Sequence, residues 1–280
     1  MMTDSKMIRF KKGRKAFQWA VGAAILATIL YTLLYQFAPF SQYVNSLLSN
    51  AMAIAVSATC AALATLIVRR YSKDEPPRGI WTNLAMALCL WTLGEAVWAY
   101  YNIVSGEVGL SIADAFWLAG YTFFFTALFI QYHILFRPTP RQSRRAVTLT
   151  AISLILILAI STKYVVRFAD MTADPETLIY VFYPTADLVI AAAALHLARR
   201  FRMGALSYLW LGLLVFVLAD SMYAWLDFTG MYTWSIDEGN LLSGIADILY
   251  FAAYLAIALG YYAHWLLLQY GPIFNVKRKT

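Results

Sequence analysis

Two short stretches place a carboxylate and two aromatic polar groups where a helix would aim them together. The first is Ser111-Ile-Ala-Asp-Ala-Phe-Trp-Leu-Ala-Gly-Tyr121. It returns as Gly244-Ile-Ala-Asp-Ile-Leu-Tyr-Phe-Ala-Ala-Tyr254. Asp114 matches Asp247, Trp117 matches Tyr250, and Tyr121 matches Tyr254. In each copy the acid and the two aromatics stand at i, i+3 and i+7, one face of a helix. A tyrosine hydroxyl or an indole N–H can donate to a carboxylate. Ring faces around such an acid attract cations. Both acids lie at the start of long apolar runs, where a charged group requires a partner or a task.

Three more acids share this setting. Trp91-Thr-Leu-Gly-Glu-Ala-Val-Trp-Ala-Tyr100 aligns with Phe216-Val-Leu-Ala-Asp-Ser-Met-Tyr-Ala-Trp225, which sets Glu95 on Asp220 and Trp98 on Tyr223. Asp187 follows Tyr183 and Pro184. The functional reading is a polar, aromatic-walled site. It would be made by Glu95, Trp98, Asp114, Trp117, Tyr121, Tyr183, Asp187, Asp220, Tyr223, Asp247, Tyr250 and Tyr254. It would take a small cationic or amphiphilic ligand, an amine or a proton. The structural reading is that Asp and Tyr act as glue between helices and that aromatics form an interfacial belt. For Asp114 and Asp247, capping of a first helical turn is a sufficient explanation.

Other chemistry finds less support. His133, His196 and His264 fall near the same ends of their apolar runs. Three imidazoles at one depth could bind zinc, and two could ligate haem. They stand outside the duplicated pattern, in apolar or aromatic surroundings, and no cofactor is firmly implied. Cys60 and Cys89 both sit inside apolar runs and read as small packing residues rather than a disulfide. No nucleophile elbow, phosphate loop or haem-attachment motif occurs. An enzyme is therefore not the expectation.

The elements that would position these residues are helices in lipid. The chain is 61% hydrophobic and only 13% charged, about half the charge of an ordinary soluble domain. Its mean hydropathy is +0.62. Apolar runs of spanning length occur at about 17–38, 47–68, 80–103, 111–136, 146–166, 178–198, 204–226 and 243–269. The expected fold is all-α, a polytopic membrane protein of about eight transmembrane helices. Aligning Arg69-Arg70-Tyr71 with Arg199-Arg200-Phe201 extends the internal repeat. It suggests two parallel four-helix repeats, 16–140 and 141–270, between a basic N-terminus at 1–15 and a basic tail at 271–280.

Lysine and arginine alternate by side. The N-terminus, the loops near 69–79, 137–145 and 199–203 and the tail hold nearly all of them. Only Lys163 and Arg167 fall in the other loops. The positive-inside rule then places both termini in the cytoplasm and the acids in the outer half of the membrane. They would occupy a layer about 10 Å thick. The net charge of +7 is thus a topology signal that also meets anionic lipid, and nucleic acid is not an expected partner.

Taken together, Trp/Phe-x-x-Gly/Ala-Glu/Asp-x-x-Trp/Tyr, a glycine-bearing loop, Asp-x-x-Trp/Tyr-x-x-x-Tyr and Tyr183-Pro184-x-x-Asp187 form a recognisable set. It resembles the multi-span N-terminal membrane region of bacterial diguanylate cyclases and histidine kinases. The resemblance covers roughly 80–265. It implies a sensor in the bacterial cytoplasmic (inner) membrane with an extracytoplasmic or membrane-soluble ligand. No catalytic signalling domain is expected after Lys279, so either the signal passes to a separate membrane or cytoplasmic protein partner or the scaffold serves another purpose. The other readings are a small cation- or proton-coupled transporter and a structural subunit of a membrane complex.

Overall fold

The structure, a computed structural model, describes residues 4–105, 110–137, 175–200, 205–232 and 241–271, with scattered positions between 139 and 151. These residues form seven helices: α1 (Asp4–Phe37), α2 (Gln42–Val68), α3 (Pro76–Ser105), α4 (Ile112–Phe136), α5 (Pro175–Arg200), α6 (Ala205–Phe228) and α7 (Leu241–Tyr270). The protein is an all-α, multi-pass membrane protein.

The count of eight transmembrane helices is corrected. Among the described residues, five helices are long and apolar enough to cross a membrane: α1 from Phe10, α2, α3, α4 and α7. The apolar stretches of α5 and α6 are shorter among the described residues, Val181–Leu197 and Gly212–Leu226. Both carry an acid inside the stretch, and α5 also carries Pro184. Apolar length alone had counted them as full crossings. The span expected at 146–166 lies outside the described residues.

The two parallel four-helix repeats are corrected as well. The recurring motif is seen in the helix pairs α3–α4 and α6–α7, each closely packed. Helices α1 and α2 do not extend it. They make little contact with each other: α1 packs on α7, and α2 packs chiefly on α3 and also on α7.

Local sequence explains where the helices begin. Helix α1 runs back through the basic N-terminal residues to Asp4, since Lys and Arg are good helix formers. Pro76 and Pro77, which break a helix interior, instead open α3, where a first-turn proline loses no hydrogen bond. Ser111 caps α4: its Oγ accepts from Ala113 N at 3.2 Å, and Asp114 Oδ2 accepts from Ser111 N at 2.8 Å. The helix ends at Arg137, in the left-handed region with φ 44°.

The core is centred on Trp91, which is 2% exposed. Its ring lies 4.6 Å from Phe124, 5.3 Å from Tyr121 and 4.8 Å from Phe216, joining α3, α4 and α6. Two glycines make this possible. Trp91 sits against Gly120 of α4, and Trp117 sits in return over Gly94 of α3. A Cβ at either position would enter the facing indole. Small residues that admit close helix approach are a principal device of packing in lipid. The matching positions in α6 and α7 are Ala219 and Ala253, both fully buried.

Candidate functional site

A cavity of about 170 Å³ lies where α1, α3 and α6 finish and α2, α4, α5 and α7 begin. Ten of the twelve residues expected from the sequence line it: Glu95, Trp98, Asp114, Trp117, Tyr121, Tyr183, Asp220, Tyr223, Asp247 and Tyr250. Asp187 and Tyr254 do not. They stand behind its wall, fully buried, and hold wall residues from the rear. Among the described residues, no lysine or arginine lines the cavity. Its surface is therefore four carboxyl groups set among aromatic rings.

Tyrosine hydroxyls from other elements meet these acids. Tyr250 and Tyr254 of α7 both donate to Glu95 Oε1 of α3, at 3.1 and 3.2 Å. Tyr183 of α5 donates to Asp114 Oδ1 of α4 at 2.8 Å. Tyr121 of α4 donates to Asp187 Oδ1 of α5 at 2.6 Å. Tyr232, just past α6, donates to Asp247 at 3.1 and 3.2 Å to its two oxygens. Asp220 differs from the other lining acids. Its immediate neighbour is the carboxyl of Asp187 rather than a tyrosine hydroxyl. Among the described residues, no hydrogen bond reaches Asp187 Oδ2.

The capping account holds for one acid of the repeated pair and fails for the other. Asp114 completes a capping box at the start of α4. Asp247 is the seventh residue of α7, beyond its first turn, and is bound by Tyr232. Its role is to join the segment after α6 to α7.

Sequence reasoning missed the side of the cavity formed by α1 and α2. Tyr31, Tyr35, Ser49, Asn50 and Ala53 line it. Tyr31 stacks on Phe251 of α7 with ring centroids 4.2 Å apart, and its hydroxyl lies 3.4 Å from that of Tyr35. Asn50 Nδ2 donates to Asn102 Oδ1 of α3 at 3.3 Å. Two signals were present: tyrosines at i and i+4, and a Ser-Asn pair inside an apolar run. Trp91, Phe216 and Tyr232 add further rings to the wall, and Leu110, Ile179, Ala224 and Ala246 add aliphatic surface.

The histidines do not form a centre. His133 Nδ1 lies 2.9 Å from Phe129 O on its own helix. His196 faces the Phe136 ring at 5.0 Å. His264 Nε2 lies 2.9 Å from the Tyr71 hydroxyl, and its ring stacks on Trp81 at 4.5 Å. Among the described residues no group of three His, Cys, Asp or Glu side chains could hold a metal. Cys60 is buried and its Sγ lies 3.2 Å from Tyr254 O, a contact between α2 and α7.

The unequal support of the acids gives an expected result. Tyr121→Phe removes the single tyrosine donor to a buried carboxyl. It should cost about 1–3 kcal/mol. Tyr254→Phe leaves Glu95 its bond from Tyr250 and should cost less. Thermal unfolding of the two variants in the same detergent checks the order. A larger loss for Tyr254→Phe would refute it.

No protein-family model, no curated protein and no solved structure matches the chain, so nothing there ties it to diguanylate cyclases or histidine kinases.

Proposed function

We propose that the protein is a non-catalytic membrane receptor or ligand-binding scaffold whose site is the acid-lined aromatic cavity. The observation that carries this reading is the lining itself: Glu95, Asp114, Asp220 and Asp247 among tryptophan and tyrosine rings, with no basic residue among the described lining residues. Acids in a helical membrane bundle are costly unless they hold a partner or line a path. Such a cavity selects positive charge through its carboxyl groups and an apolar body through its rings. A small cationic amphiphile has both parts.

The basic residues support the direction of access. Lys11, Lys12, Arg14 and Lys15 precede the apolar part of α1, and Arg69, Arg70, Lys73 and Arg78 surround the turn from α2 to α3. Both groups lie at the end of the bundle away from the cavity. The positive-inside rule then has the cavity face the extracytoplasmic side of a bacterial inner membrane. The resemblance to the membrane regions of bacterial signalling proteins favours a sensor that passes its state to a separate protein partner.

Native mass spectrometry of the gently solubilised full chain tests the reading. A bound small cation should be seen with the wild type. Ala53→Phe, which adds a ring to the cavity wall, should reduce its occupancy by about tenfold or more while leaving the protein folded. Loss of folding would be seen separately in the circular dichroism spectrum. A wild type that carries only lipid, and gains no cation from a library of small amines, would refute the proposal.

A further inference from the structure

The four lining acids are not equivalent, and the difference identifies where a ligand's charge sits. Glu95 already takes two tyrosine hydroxyls. Asp114 uses one oxygen for Tyr183 and the other for the backbone of Ser111. Asp247 takes Tyr232 on both oxygens. These three are held in place by the fold. Among the described residues, Asp220 has no such tyrosine donor, and its hydrogen-bond partner is another carboxyl group, that of Asp187.

The internal repeat sharpens the contrast. Glu95 and Asp220 are matched positions, as are Trp117 with Tyr250 and Tyr121 with Tyr254. Around Glu95, both residues of the α7 pair donate to the acid. Around Asp220, the α4 pair does not. Tyr121 donates to Asp187 instead, and Trp117 Nε1 is buried with no hydrogen-bond partner among the described residues. Asp187 is fully buried beside Asp220, and its Oδ2 also lacks a donor. Among the described residues, the α4–α6 side of the cavity therefore has two carboxyl groups that hydrogen-bond each other and a single tyrosine donor between them. A ligand that completes it must bring both positive charge and N–H groups.

Resting on the cavity reading above, we propose that Asp220 is the charge-recognising residue and that the ligand is a primary or secondary ammonium. Its nitrogen donates to Asp220, whose carboxyl is held from behind by its hydrogen bond with Asp187. Its apolar body lies among Trp117, Tyr183 and Tyr223, which share the cavity wall. A quaternary ammonium carries the charge without the donor, so it should be the poorer ligand.

The test uses the full chain in nanodiscs and three probes of one shape: 2-phenylethylammonium, its N,N,N-trimethyl analogue and neutral 2-phenylethanol. Binding is read by isothermal titration calorimetry and by tryptophan fluorescence. The primary ammonium should bind about tenfold or more tighter than either other probe. Asp220→Asn should abolish that preference. Equal affinity of the two cations in the wild type would overturn the proposal and leave the cavity as a cation–π site. That comparison does not depend on the variant folding. Saturable binding of none of the three would overturn both this proposal and the cavity reading for ligands of this size.

Discussion

Trp91→Ala is expected to be the most destabilising single truncation in the bundle, at about 3–5 kcal/mol. The side chain is 2% exposed and touches rings from α4 and α6. It also donates from Nε1 to Trp117 O at 3.1 Å, so truncation removes a hydrogen bond as well as volume. In lipid, little hydrophobic transfer drives helix against helix, and fitted side chains supply much of the association energy. The void left by Trp91 has no ready filler, because its neighbour Gly120 has no side chain to move in. The control is Trp19→Ala. Trp19 is the same residue type, 71% exposed on α1, and its loss should cost under about 0.5 kcal/mol. Unfolding of both variants in one detergent compares them. Similar losses would mean that Trp91 is not the keystone of the three-helix junction. Because Trp91 also lines the cavity, the variant should bind the aromatic cation less well than its remaining folded fraction predicts.

Much of this site was legible because its signals are local. An acid in an apolar run is conspicuous, and the i, i+3, i+7 spacing puts Asp114, Trp117 and Tyr121 on one face whatever that face meets. The structure turns all three toward the cavity. The capping box at Ser111 could be read for the same reason, since four consecutive residues contain it. What each acid pairs with was not legible. Tyr183 and Asp187 stand one turn apart on α5 and share a helical face. Their side chains project side by side, so each reaches a different residue of α4: Tyr183 bonds Asp114 and Asp187 accepts from Tyr121. Those partners are separated by more than sixty residues, and helical period carries no information about them.

The fold was less legible than the site. Hydropathy identifies apolar runs but does not say which of them stand as full crossings, and α5 and α6 show the difference. Similar motifs in α3–α4 and α6–α7 also suggested a duplication of the whole chain. A motif of ten residues fixes the packing of a helix pair, through Gly94 and Gly120 in one case and alanines in the other. It has no hold on α1 and α2, whose contacts with α7 depend on residues such as Tyr31 and Cys60 that do not recur.

Gly212→Val should separate α6 from α7, at a cost of roughly 3 kcal/mol or more. A Cβ at this position would lie 2.7 Å from Ile257 N and 3.0 Å from Ala256 C. These are backbone atoms of α7, so no rotamer change relieves the contact and the helices must move apart. Glycine in a helix costs roughly 0.5–1 kcal/mol relative to alanine. That is too little to offset displacement of a packed helix. Gly22 of α1 is the control, because nothing lies within 4 Å of a Cβ built there. Gly22→Ala should therefore be neutral or slightly stabilising. The consequence reaches the site. Asp220 lies two turns beyond Gly212 on α6, and Tyr250 and Tyr254 lie on α7 before Ile257. Moving one helix against the other alters both the Asp220 side of the cavity and the tyrosine cradle of Glu95. The protein should lose ammonium binding together with thermal stability. A Gly212→Val protein that unfolds at the wild-type temperature and binds the ammonium normally would show that the α6–α7 contact is looser than the structure places it.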